Sequence, residues 1–230
     1  MLKKIFHKMN SNSVNLRKKI ILNMLDDDSE AKILDLGCDE GSWSIKLKEK
    51  INSKQIYGID IIDQRLKEAK EKGVITKKSD LNENIPFENN FFDVIHADQV
   101  IEHIANLDRF ISEIHRVLKP GGYIIISTEN GSSWHNIFAS ILGWQIFSLT
   151  NLSSKKSGIG NPLAIHRGKT IDLSSWTHKT IFNYRGLKEF FEAYSFKNTK
   201  IVGSGYHPLP AFFGKIDPRH SHYITLKCYK

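Results

Sequence analysis

The sequence predicts an α/β fold, a doubly wound and mostly parallel sheet with helices on both faces, and three observations lead there. Short apolar runs that suit buried strands alternate with amphipathic helical runs, the pattern of repeated strand-helix units. The first apolar run, Ile33-Leu34-Asp35-Leu36, breaks into the glycine-punctuated turn Gly37-Cys38-Asp39-Glu40-Gly41 before a helix. The second, Gln55 to Asp60, closes on an acid about 20 residues after the first.

Each element follows from its own pattern. Val14, Leu16, Ile20, Ile21 and Met24 recur at helical spacing, so a helix is expected over 13–24, capped by Ser13 and ended by Asp26-Asp27-Asp28. Strands are expected over 31–37, 55–60, 74–79 and 91–97, with helices over 42–50 and 63–72. A helix over 106–118 lines up Leu107, Phe110, Ile111, Ile114, Val117 and Leu118 on one face, and Pro120-Gly121-Gly122 stops it. Strand 123–128, helix 183–194 and strands 196–203 and 223–229 complete the series.

More than fifty residues separate 128 from 183, longer than a plain connection requires. The block from Trp134 to Leu149 is rich in aromatic and aliphatic side chains, too apolar for a disordered linker. We read 130–182 as an inserted lid over a substrate pocket. A helix resting on a membrane through 134–149 and extra core packing stay open as alternatives. The whole chain, 1–230, reads as one domain with an N-terminal helical segment over 1–28.

Composition narrows the function classes. Hydrophobic residues at 40% and charged residues at 25% suit a soluble globular chain, and no stretch reaches the roughly 20 apolar residues a membrane span requires. The basic start, Met1 to Lys8, lacks an apolar run or cleavage site, so a cytoplasmic location is expected. Cys38 and Cys228 are far apart in sequence and have no histidine or cysteine neighbours at ligand spacing, so neither a disulfide framework nor a metal is assigned. Lys and Arg number 33 against 25 Asp and Glu, and the resulting +8 is scattered rather than gathered into a tract. That argues against nucleic acid as the partner.

The chemistry sits at strand ends. Gly37 and Gly41 let backbone approach a bulky ligand, and the Asp60 carboxylate can accept both hydroxyl hydrogens of a ribose. Asp80 can accept an adenine amino hydrogen while Ile61 and Leu81 cover the ring faces.

The glycine run, together with Phe92-Asp93-Val94-Ile95, Glu102-His103-Ile104 and Leu118-Lys119-Pro120-Gly121-Gly122-Tyr123-Ile124 in that order, resembles class I S-adenosylmethionine (SAM)-dependent methyltransferases. The resemblance covers 31–128 well and 183–230 more loosely. It implies a seven-stranded, Rossmann-like sheet with one antiparallel strand, and SAM as cofactor with S-adenosylhomocysteine as product. It implies that the turn from Asp35 through Gly37, Cys38, Asp39 and Gly41 approaches the methionine part, and that Ala97, Asp98 and Val100 lie on the sulfonium side. Asp39-Glu40 departs from the family pattern, where glycine is common, so those side chains are expected to point away from the cofactor's carboxylate.

Methyl transfer to a hydroxyl requires a group that removes its proton, and histidine suits that task near neutral pH. Of ten histidines, His135, just past the fifth strand, is the first candidate and His103 the second, with His166, His178, His207 and His220 also on loops at that edge. The expected function is methyl transfer, at oxygen, to a small molecule, saccharide or lipid-linked acceptor. Gly160 to His166 and Asp217 to His220 look like a subgroup tied to polysaccharide biosynthesis, and Arg167 or Arg219 could hold an acidic group of such an acceptor. An RNA methyltransferase and a SAM-binding protein without turnover stay open beside it. Acceptor identity and oligomeric state are not written in the sheet motifs.

Overall fold

The computed structural model describes residues 2–164, 166–170 and 176–230, with side chains from Lys8 onward. Its elements run α1 (Leu2–Met24), β1 (Lys32–Leu36), α2 (Ser42–Ile51), β2 (Gln55–Asp60), α3 (Asp63–Glu71), β3 (Ile75–Lys78) and β4 (Phe92–Asp98). Then follow α4 (Leu107–Val117), β5 (Leu118–Glu129), α5 (Trp134–Ile141), α6 (Tyr184–Ala193), β6 (Lys197–Ser204), α7 (Phe213–Ile216) and β7 (Tyr223–Tyr229).

The strands form one seven-stranded sheet in the order β3-β2-β1-β4-β5-β7-β6, with β7 antiparallel to both neighbours and the other pairings parallel. Strand order reverses between β1 and β4, which opens a crevice at their carboxyl ends.

Alternation along the strands builds both faces of the core. Leu34, Leu36, Ile59, Ile95, Ala97, Ile124 and Ile126 pack with Phe110, Ile111 and Ile114 of α4 and Leu187 and Phe191 of α6. The intervening Ile33, Ile56, Val94, Tyr123 and Ile125 face the other way, onto Ile20 and Ile21 of α1, Leu47 and Ile51 of α2 and Leu66 of α3. Full burial of each such side chain contributes about 1.5–3 kcal/mol, so the two-sided core fixes the strands whose ends form the crevice.

α1 differs from expectation in length. It starts at Leu2, so Ser13 lies inside the helix, where its hydroxyl donates to Met9 O at 2.9 Å. A serine that bonds back one turn satisfies itself and need not end the helix. The ends of α3 and α4 also have local causes. Asp60 Oδ1 accepts from Ile62 N at 3.0 Å, so the acid closing β2 also fixes the residue that precedes α3. Asn106 caps α4 through Arg109 N at 3.2 Å.

Polar contacts tie the described part of the segment between β5 and α6. Asn136, fully buried, donates from Nδ2 to Asn130 O at 3.0 Å and to Ser148 Oγ at 2.9 Å. Its end returns to the sheet through Gly131 N to Phe182 O at 2.9 Å. Trp134, Phe138, Ile141 and Leu142 are exposed, so this part of the apolar block is not core packing. Residues 171–175 of the expected lid, and Ile165, lie outside the described residues. Among the described residues, no helix is long and apolar enough to cross a membrane.

Candidate active site

The bend after β1 sets the geometry. Gly37 has φ +71° and Gly41 φ +82°, a region open to glycine, and a Cβ on Gly37 would lie 2.8 Å from Val100. Asp39 shares the left-handed backbone at φ +48° and donates its N–H to Asp60 Oδ2 at 3.0 Å. The β2 acid therefore braces the β1 turn.

The two acids that replace the family's glycine part company. Glu40 turns outward to Lys72 and to Ser42 Oγ at 2.6 Å, and these partners hold its carboxyl below the usual range. Asp39 stays at the rim, paired with Arg65 at 3.0 Å, its carboxyl raised by partial burial.

A cleft of about 420 Å³ lies over this bend, lined by Gly37, Asp39, Asp60, Ile61, Asp80, Leu81, Asp98, Val100, His103 and Trp176 among others. Ile61 is 42% exposed between acids, an apolar surface at a polar rim that suits a flat heterocycle. A second hollow continues past Gly37, Asp39 and Asp98 to Asp35, Cys38, Lys18, Trp43 and Lys46. The floor there is tied down: Asp35 Oδ1 meets His96 Nδ1 at 2.7 Å and Asp35 Oδ2 accepts from Ser44. Trp43 Nε1 donates to His96 Nε2 at 3.4 Å, so Nδ1 carries the imidazole proton.

Arg17 of α1 crosses over this hollow and grips Asp98 with two nitrogens, at 3.0 and 3.1 Å, while its guanidinium lies 4.4 Å from the Tyr223 ring centre. Both side chains are nearly buried, so the N-terminal helix forms part of the site wall. A lone arginine in an amphipathic helix gave no signal of this in the sequence.

A family model described as a methyltransferase domain matches residues 6–201. The chain belongs to the class I SAM-dependent methyltransferase family. It is 29% identical over 113 residues to the demethylmenaquinone methyltransferase of Staphylococcus epidermidis, covering 47% of each chain. It is 31% identical over 127 residues to the mitochondrial ubiquinone biosynthesis O-methyltransferase of Rattus norvegicus, covering 51% of this chain and 36% of that one. The chain thus spans about half the length, or less, of these curated relatives. Among solved structures, a SAM-dependent methyltransferase from Thermotoga maritima superposes with TM-score 0.61 at 17% identity, over 93% of this chain and 87% of that one. One from Methanosarcina mazei gives 0.60 at 20%, over 92% and 96%. These structural likenesses establish the fold.

The methyltransferase-family cofactor is SAM, and the residues present fit it. The Gly37 cradle would be filled by any Cβ, Asp60 presents a carboxylate at the end of β2, and exposed Ile61 stands beside it. The acids Asp39, Asp60, Asp80 and Asp98 around the cleft favour a ligand that carries a sulfonium charge. Two of the expected contact residues have buried side chains. Ala97 is fully buried in the core beneath the cleft and does not line it, because β4 alternation turns its methyl group downward. Cys38 is buried under the bend, where Gly58 leaves room for its sulfur, and burial pushes its thiol up, so it packs rather than reacts.

The structure also re-sorts the histidines of this family member. His135 does not reach the cleft: its ring lies against Phe147, His207 and His222, with centroids 4.6–5.5 Å apart, and burial lowers its pKa to about 3. α5 places its first turn against His207 and His222, in the loops after β6 and before β7, which sequence order alone did not reveal. His103 does line the cleft, with Nδ1 on Thr177 O at 3.2 Å, and burial with the nearby His178 lowers its pKa to about 4. Trp176 joins this cleft to another of about 480 Å³, lined by Glu129, Phe147, Thr150, His166, Lys169 and His178. His207 contacts Ser13, and His220 pairs with Asp217 at 2.8 Å. Neither Arg167 nor Arg219 lines either cleft.

Proposed function

We propose that this chain transfers a methyl group from SAM to a hydroxyl oxygen of a small-molecule acceptor, a saccharide or a lipid-linked precursor. One observation carries the reading: Trp176 lines both the cleft at the β1 bend, beside His103, and a second cleft walled by the insertion. Cofactor and acceptor thereby meet in a place partly screened from water, where alignment supplies most of the acceleration. SAM, when bound, supplies the electrophilic methyl group. Asp60 and the bend hold its adenosyl part, and Ile61, Asp80 and Leu81 flank the ring. His103 sits at the junction, its Nδ1 occupied by a carbonyl, so Nε2 is the nitrogen free to act on an acceptor hydroxyl.

The quinone-pathway relatives lend a second reading of the acceptor, a lipid-tailed ring. Exposed Trp134, Phe138, Ile141 and Leu142 on and after α5 support it, as a face that could rest on a membrane while the tail is presented. An RNA acceptor is disfavoured by the acidic rim, which opposes a phosphate backbone despite the net +8. A SAM-binding protein without turnover is separated by product formation. Labelled SAM is incubated with fractionated cell extract and the chain. Label in a saccharide, quinone precursor or other small molecule with S-adenosylhomocysteine release supports the proposal; label only in nucleic acid, or none, overturns it.

A further inference from the structure

We propose that Glu102, His103 and His178 form a binding site for one divalent transition-metal ion of the zinc class. The inference deepens the functional reading above, because the site stands where the two clefts meet. One ligand atom from each residue lies within 4.8 Å of the other two, with Glu102 buried and both histidines half-buried. A zinc ion held at about 2.0–2.2 Å separates its ligand atoms by roughly 3.4 Å, so side-chain rotations of an ångström or so complete the geometry.

Hydrogen bonding has already sorted the nitrogens. His103 Nδ1 faces Thr177 O at 3.2 Å, and His178 Nδ1 faces Ser148 O at 2.6 Å. A carbonyl oxygen only accepts, so each Nδ1 carries the proton and each Nε2 presents a lone pair. Imidazoles whose second nitrogen donates to a carbonyl are the oriented form seen in metal sites. Glu102 supplies the third ligand. Its carboxylate accepts from Thr128 Oγ1 at 2.9 Å, and its backbone carbonyl accepts from Lys179 N at 2.7 Å and Thr180 N at 3.2 Å, which pins the insertion to the turn holding His103. Glu102 is buried, and the acids Glu129 and Asp98 act on it; a buried carboxylate among like charges gains from a cation.

Two imidazoles and one carboxylate favour zinc, iron(II), cobalt(II) or manganese(II) over calcium or magnesium. Three protein ligands would leave a position open for an acceptor oxygen, and His103 and His178 line the two clefts that share Trp176. The ion would also fasten the insertion, through His178, to the sheet edge that holds the cofactor. The ion would bind the acceptor oxygen and lower its pKa, so that the proton passes to bulk water rather than to His103, and the oxygen then takes the methyl group of SAM as the carbon–sulfur pair returns to sulfur and S-adenosylhomocysteine leaves.

The test uses untagged full chain stripped with chelator and titrated with Zn²⁺ by calorimetry, and with Co²⁺ by its visible absorption. About one equivalent is expected to bind. His178→Ala and Glu102→Gln are each expected to weaken binding at least tenfold, and to lose the Co²⁺ band, while SAM titrates as in the wild type. No binding by the wild type, or equal binding by both variants, overturns the metal site. If Zn²⁺ binds as expected but SAM does not, the methyl-transfer reading fails and the metal site stands.

Discussion

The two halves of the carboxyl rim are built on different principles. On the β1–β3 side, each cleft residue lies within a few positions of a strand end: Gly37 and Asp39 after β1, Asp60 and Ile61 at β2, Asp80 and Leu81 after β3. Beyond β4, the site is assembled from parts distant in sequence, Glu102 and His103 on one turn and Trp176 and His178 from the insertion. The first half is a local device that a strand and its exit turn specify; the second exists only after the chain has folded. Substitutions should therefore affect the two halves in separable ways, cofactor affinity on one side and turnover on the other.

The largest separation is expected at His103. His103→Ala should lower kcat by about 10²–10⁴-fold, whether the imidazole removes the acceptor proton or holds an ion that acidifies it. SAM affinity should stay within about threefold, because the adenosyl contacts lie at β1–β3. Calorimetry for SAM and a turnover assay on the same sample check the split; equal losses in both would show that the halves are not separable. Asp60→Ala is the mirror experiment. Loss of the ribose acceptor and of the brace to Asp39 N and Ile62 N should weaken SAM binding by about 10–100-fold, some 1.4–2.7 kcal/mol. An unchanged dissociation constant would remove the acid from the site.

This division also explains what could be read from the sequence. The sheet, its helices and the cofactor rim were legible because period-two burial and a glycine bend are written in consecutive residues. Most strand ends lie within a residue of expectation, but β5 begins at Leu118, five residues before the expected 123, and α1 begins at Leu2 rather than Ser13, whose hydroxyl is satisfied within the helix. The acceptor side was legible only as an excess of residues. Proximity in sequence put His135 first, yet α5 carries it to β7; His178, more than seventy residues from His103, gave no spacing to recognise. The grip of Arg17 on Asp98 was hidden for the same reason.

A smaller effect is expected at Glu102, and it sharpens the comparison through pH. Its folded-state pKa, about 8, lies above the ordinary 4.5, so its contribution to stability is present at low pH and lost as pH rises from 4.5 through 8. In metal-free protein Glu102→Gln should therefore be more stable than the wild type at pH 8.5, by about 1–3 kcal/mol, with the difference shrinking toward pH 5. Denaturant unfolding at the two pH values measures it. A variant that is less stable at pH 8.5 would mean that the ionised carboxylate is already compensated.

The smallest effect on catalysis is expected at His135, and there the sign of the pH dependence is the reverse. His135, His207 and His222 touch one another, all three have lowered pKa values through burial first, and Arg17 adds repulsion at His222. His135 Nδ1 and His222 Nδ1 are buried without a hydrogen-bond partner among the described residues, so a proton taken up there finds no acceptor. Folded-state values below the ordinary 6.5 mean that the unfolded chain binds protons first: stability is fully present above about pH 6.5 and declines as pH falls toward 3. His135→Phe keeps a ring against Phe147 and removes one of these groups. Turnover at pH 7.5 should stay within about threefold of the wild type, since the ring lies outside both clefts, while the loss of stability between pH 6.5 and 4.5 becomes shallower. A large fall in turnover with unchanged SAM affinity would return His135 to the reaction and move the acceptor's approach to the α5 side. An acid limb as steep as the wild type's would mean that the histidine cluster does not govern acid stability, and the carboxylates near the rim would take its place.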